Sequence, residues 1–180
     1  FTVRDVQTRR TTTRPQPPFT TAALQQQAST QMGFAAERTM RIAQQLYEGV
    51  DLGARGSIGL ITYMRTDSTN LSKDSIEQVR GMIRADFGDR YLPEKPNVYG
   101  SAKRAQEAHE AIRPTDASIK PEEIRAALSA EQWKLYDLIW RRFVACQMEP
   151  AQWDSTTLLI GADTAAGEAI FKATGRRLAF

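Results

Sequence analysis

"AEQWKLYDLIWRRFVACQMEPAQWDSTTLLIGA", residues 130–162, changes its period half-way along. Before Pro150, Trp133, Tyr136, Trp140, Phe143 and Val144 recur every three or four positions, which predicts a helix with an aromatic stripe turned to a core. After Pro150 the period drops to two. "WDSTTLLIGA" (153–162) and "EAIFKATG" (168–175) read as strands joined by a glycine-bounded turn. The other end of the chain, "FTVRDVQTRRTTTRPQP" (1–17), reads as one more strand through Phe1, Val3 and Val6, ended by its threonine and proline cluster. The predicted fold class is mainly α with flanking β (α+β). A helical domain over 18–148 is inserted between strands (1–17 and 149–180) of a second, incomplete β-rich module.

Inside the helical part, "TTAALQQQASTQMG" (20–33) has threonine caps and Gly33 as a stop. "FAAERTMRIAQQLYEG" (34–49) places Met40, Ala43 and Tyr47 at helical spacing, with Gly49 ending the run. "GVDLGARGSIG" (49–59) reads as a surface loop without assigned function. Ile58, Leu60 and Ile61 predict a short buried strand leading to Tyr63. Ser72 is placed to cap a helix whose apolar face is Ile76, Val79, Met82, Ile83 and Phe87, closed by Gly88. Residues 89–101 read as a loop. "AKRAQEAHEAIRPTD" (102–116) predicts a short polar helix stopped at Pro114, and "KPEEIRAAL" (120–128) a helix with proline and two glutamates in its first turn.

The 180 residues are 41% hydrophobic and 25% charged, the balance of a chain that folds around a core. No apolar run approaches the roughly 20 residues of a spanning helix, so no membrane partner is expected. The single Cys146 excludes an internal disulfide and a cysteine zinc cluster, and is expected to be a buried, inert thiol. This fits a reducing, cytoplasmic setting. The net charge of +3 equals the excess of Arg4, Arg9, Arg10 and Arg14 over Asp5, so the rest is balanced and any anionic ligand must be met by local clusters. The chain begins at Phe1, not methionine, and is expected to be a piece of a longer protein.

Two stretches can carry chemistry. In "GLITYMRTDSTN" (59–70) a tyrosine stands two residues before an arginine. Free tyrosine has a pKa of about 10, so about one molecule in a thousand is phenolate at neutral pH, a deficit of roughly 4 kcal/mol. A nearby guanidinium reduces that deficit and can hold a phosphate oxygen in the transition state. In extended backbone, residues two apart project to the same side. In "QEAHEAIRPTD" (106–116) the only histidine, His109, has Glu107, Glu110, Arg113 and Asp116 around it. On a helix His109 and Arg113 share a face suited to a phosphodiester. No metal site is expected in this chain: no DxD pair is present, and "RTDS" and "RPTD" offer one carboxylate each.

"GLITYMRTDSTNLS" resembles the active-site tyrosine motif of type IA DNA topoisomerases, in the bacterial topoisomerase I form. "SAKRAQEAHEAIRPTD" resembles that family's second signature. "PFTTAALQQQAS" resembles the entry to its catalytic domain, and "LYDLIWRRFVACQMEPAQWDSTTL" the exit. The resemblance spans Pro18 to Ile160. It implies a winged-helix-like tyrosine domain hung in a β-rich arch, and relaxation of negatively supercoiled DNA through a 5′-phosphotyrosine intermediate without ATP. Tyr63 would be the nucleophile, Arg65 would hold the scissile phosphate, and His109 would assist. Arg113, Thr62, Thr66 and Asp67 would lie against single-stranded DNA, with Asp67 orienting Arg65 or the turn. The resemblance also implies Mg²⁺ held mainly by an acidic domain outside this sequence, the remaining enzyme domains as partners, a place at the bacterial nucleoid, and little activity of the chain alone. Two competing readings are a non-enzymatic DNA-binding module of the same fold, with Tyr63 a stacking or packing residue, and a tyrosine recombinase, which expects more arginines and histidines around its tyrosine.

Overall fold

The computed structural model describes residues 1–99 and 109–180 and divides into two units, Gln16–Met148 and a unit made of Phe1–Pro15 with Glu149–Phe180. In chain order the elements are β1 (Thr2–Thr13), α1 (Thr21–Met32), α2 (Ala36–Glu48), the two-residue strands β2 (Val50–Asp51) and β3 (Ser57–Ile58), α3 (Lys73–Phe87), α4 (Ala130–Cys146), β4 (Ala151–Thr164) and β5 (Gly167–Leu178). The result is a mixed α and β fold, with four α-helices and two small sheets among the described residues.

The helices start and stop where local chemistry dictates. The Thr20 hydroxyl accepts from Ala23 N, and Gly33 closes α1 in the left-handed region (φ 68°). Ser72 caps α3, and Ser129 with Gln132 forms a reciprocal capping box on α4. α4 serves two apolar clusters. Leu135, Tyr136 and Ile139 pack with Phe19, Leu24, Ala28, Leu46, Leu60, Ile61, Met64 and Ile112, while Phe143, Val144 and Cys146 pack with Val79, Ile83 and Ala117. Each of the buried leucine, isoleucine, valine, methionine and phenylalanine side chains contributes about 1.5–3 kcal/mol. The aromatic stripe is core, and it also donates. Trp133 Nε1 bonds Pro121 O, Tyr136 Oη bonds Ile119 O and Trp140 Nε1 bonds Ala117 O, so three rings fasten the loop that precedes α4. Burial pushes the Cys146 thiol up to about 12, as expected for an inert cysteine.

Several sequence expectations are corrected. Residues 121–127 are turns with one short 3-10 turn (Arg125–Ala127), not a helix. Trp133 and Tyr136 take up the Pro121 and Ile119 carbonyls, which an α-helix over 120–128 would draw on at its start. The loop 49–59 contains the β2–β3 pair. Ile61 makes a single bridge to Pro114 where a strand was expected. On α2 the buried face is Thr39, Ile42, Ala43 and Leu46, and Tyr47 lies outside it.

In the second unit, β1, β4 and β5 form an antiparallel sheet in the order β1-β4-β5. β1 runs through the threonines expected to end it, because β-branched Thr11–Thr13 suit pleated backbone and pair with residues 151–153. Asp154 stands between Arg10 and Arg177 on the two neighbouring strands and bonds both, at 2.8 and 3.2 Å. Arg4, another of the N-terminal arginines, pairs with Glu168.

Candidate active site

Three stretches that are distant in sequence cross beneath Tyr63. Thr62 N donates to Arg113 O at 2.9 Å, Thr62 Oγ1 donates to Ala111 O at 2.7 Å, and Arg113 N returns a bond to Thr62 Oγ1 at 3.0 Å. Thr115 N donates to Leu60 O, Ala111 N to Asn70 O and Ile112 N to Phe19 O. At the start of α1, Thr21 N donates to Thr66 O at 2.8 Å, and Thr21 Oγ1 donates to Met64 O and accepts from Thr66 N.

Along 63–68 the side chains alternate. Met64 and Ser68 are fully buried and Thr66 nearly so, whereas Tyr63 is 51% exposed and Arg65 and Asp67 point outward with it. The outward row meets His109. Tyr63, Arg65 and His109 line one cleft of about 350 Å³ with Tyr47, Thr62, Thr66 and Glu110. Arg65 and His109 also line a neighbouring cleft of about 660 Å³ with Asp67, Gln25, the cap Thr20 and the first residues of α1, Thr21 and Ala22. The positive end of the α1 dipole therefore faces a cleft that already holds a guanidinium and an imidazole, an arrangement suited to an anion.

His109 reaches the cleft by a different route from the one expected. Residues 109–114 are extended and bridged through Ile112 and Pro114, not helical. The part of the expected polar helix over 102–108 lies outside the described residues. Arg113 consequently does not share a helical face with His109. Its side chain is only 13% exposed, ion-paired to Glu110 at 2.7 Å and bonded to Pro114 O, while its Nε is buried without a partner among the described residues. Glu110 also accepts from Ser72 N at 2.7 Å. Burial alone would raise the Glu110 carboxyl, but the Ser72 and Arg113 contacts together hold it below the usual carboxylate range. Thr62 and Thr66 spend their hydroxyls on main chain, Thr66 accepting from Ser68 N. Among the described residues no ion pair joins Asp67 to Arg65; each projects into the cleft on its own. Sequence reasoning missed the cleft-lining roles of Tyr47 and Thr20–Ala22, for which only proximity in three dimensions is a signal.

A family model for DNA topoisomerase matches residues 1–180. The chain belongs to the type IA DNA topoisomerase family. It is 51% identical over its full length to DNA topoisomerase 1 of Escherichia coli (strain K12), and 51% identical over 96% of its length to that of Xylella fastidiosa (strain Temecula1). It spans 19% and 21% of those two proteins, about a fifth of each. The structure of full-length topoisomerase I from Thermotoga maritima superimposes with a TM-score of 0.80 at 41% identity, covering 99% of this chain and 28% of that one. The Mg²⁺ implied by this family does not fit the residues described here. No three His, Cys, Asp or Glu side chains gather as a metal site among them, and the Glu110 oxygens are committed to Ser72 and Arg113. No helix among the described residues is long and apolar enough to cross a membrane.

Proposed function

We propose that this chain carries the nucleophile of a topoisomerase that relaxes negatively supercoiled DNA by cutting and resealing one strand. The observation that carries the reading is the shared cleft of Tyr63, Arg65 and His109, in a chain matched over its whole length by the family. Tyr63 Oη attacks a backbone phosphorus of single-stranded DNA, and the bond from phosphorus to the 3′-oxygen breaks. The phenol loses its proton, the departing 3′-oxygen gains one, and the 5′-phosphate stays on Tyr63 as an ester. One phosphoester bond replaces another, so the reverse attack reseals the strand without ATP. Arg65 holds the phosphate oxygens and favours the phenolate. His109 contacts the phosphate from the other wall of the cleft. Arg113, paired with Glu110, acts by fixing the 109–113 backbone, and Thr62, Thr66 and Asp67 border the bound strand. Under this reading Gln16–Met148 is a winged-helix-like tyrosine domain and the three-stranded sheet is part of an arch. The acidic metal-binding domain comes from elsewhere in the enzyme, which works on the bacterial nucleoid.

The test is covalent capture. Labelled single-stranded DNA and Mg²⁺ are incubated with the full-length enzyme, with this chain alone, and with this chain plus the remaining domains, then denatured. An adduct in the full-length enzyme that disappears in Tyr63→Phe supports the reading. An adduct that survives the substitution overturns it. Strong cleavage by the chain alone would sink the claim that the acidic domain is needed.

A further inference from the structure

We infer that Tyr47 is a stacking platform for a nucleobase next to the attacked phosphate. The inference rests on the proposal that the Tyr63 cleft holds single-stranded DNA. Tyr47 lies in the last turn of α2, yet the buried face of that helix is Thr39, Ile42, Ala43 and Leu46. Tyr47 itself is 41% exposed, and its hydroxyl makes no hydrogen bond among the described residues. It lines the same cleft as Tyr63 and meets that ring edge-on, centroids 5.4 Å apart at 66°. An edge-on contact covers at most one face of one ring, so the pair still presents aromatic surface to the cleft.

The backbone beneath Tyr47 is tightly set. Leu60 N donates to Leu46 O at 2.7 Å, and Gly59 passes so close that a Cβ there would sit 2.6 Å from Tyr47 O. The register between α2 and the residues leading to Tyr63 is therefore fixed, so the backbone positions from which the two rings project stay at a constant separation. An exposed ring on a firmly held backbone, beside a guanidinium and an imidazole, is the combination that holds a base while cations hold its phosphate. Every base has a π face, so the platform accepts any nucleotide and requires only that one be present.

The experiment uses the full-length enzyme and single-stranded oligonucleotides with an abasic position placed in turn at each nucleotide flanking the cleavage site. The readout is the DNA concentration that half-saturates covalent adduct formation. In the wild type and in Tyr47→Phe, one abasic position should raise that concentration about tenfold. Tyr47→Ala should treat intact and abasic DNA alike, both at the weaker level. Tyr47→Leu, which keeps an apolar contact with Tyr63 but has no π face, should behave as Tyr47→Ala. The inference is overturned if the leucine or alanine variant still discriminates, or if no abasic position matters to the wild type. Absence of any Tyr63-dependent adduct on intact DNA would instead overturn the underlying cleavage reading.

Discussion

Phe143 in the helical unit is fully buried, whereas Phe171 and Phe1 in the sheet-bearing unit are 54% and 95% exposed. The contrast extends to whole units. The residues from Gln16 to Met148 supply both apolar clusters, while the sheet is held by ladder hydrogen bonds and cross-strand pairs such as Arg10–Asp154–Arg177 and Thr8–Thr156. Candidate chemistry sits on the unit with the core. A nucleophile and a guanidinium that must be held to a fraction of an ångström need packed residues such as Met64 directly beneath them.

The sharpest test of this contrast is Tyr63→Phe. All covalent capture should be lost from the full-length enzyme while the melting of the helical unit is unchanged, since the ring is half exposed. Phe143→Ala should destabilise the chain by about 3–5 kcal/mol in urea unfolding, and Phe171→Ala by no more than about 0.5 kcal/mol; equal losses would break the comparison. Tyr136→Phe leaves Ile119 O without its donor and should cost about 1–3 kcal/mol. Acid should act next. Because the Glu110 pKa is lowered on folding, its contribution is complete above the ordinary carboxylate range and is lost as pH falls through the lower folded value. The protection of the Ser72 amide, taken as its exchange rate relative to the intrinsic rate at each pH, should fall over that window, and should show no such fall in Glu110→Gln. Arg10→Ala should give the smallest effect, a melting shift too small to resolve at moderate salt, because its pair is exposed.

The helices were legible because their signals are local. Thr20, Ser72 and Gly33 mark ends, and the spacing of Tyr136 and Phe143 marks a face. Tyr63 and Arg65 were legible as outward neighbours because period-two projection needs only extended backbone. His109 was expected in the site on a helical pattern, and its extended backbone follows from partners the pattern cannot show. Ala111 and Ile112 give their amides to Asn70 and Phe19, and Arg113 gives its own to the Thr62 hydroxyl. The nearest of these partners is some forty residues away in sequence, so the composition spoke for a helix that tertiary pairing overrules over the described residues 109–114. Tyr47 illustrates the same limit, since helical spacing grouped it with a core face it does not join.

The clasp between Thr62 and Arg113 has a consequence for anyone building chimeras from this family. The two signature stretches are one mechanical part that happens to be written in two places. Transplanting 59–70 into another backbone without 109–115 would strip Thr62 of both its acceptors and leave the nucleophile on an unanchored ribbon. Grafts, directed-evolution libraries and split versions of such enzymes should treat the two segments as a single cassette, with the seam placed anywhere but between them.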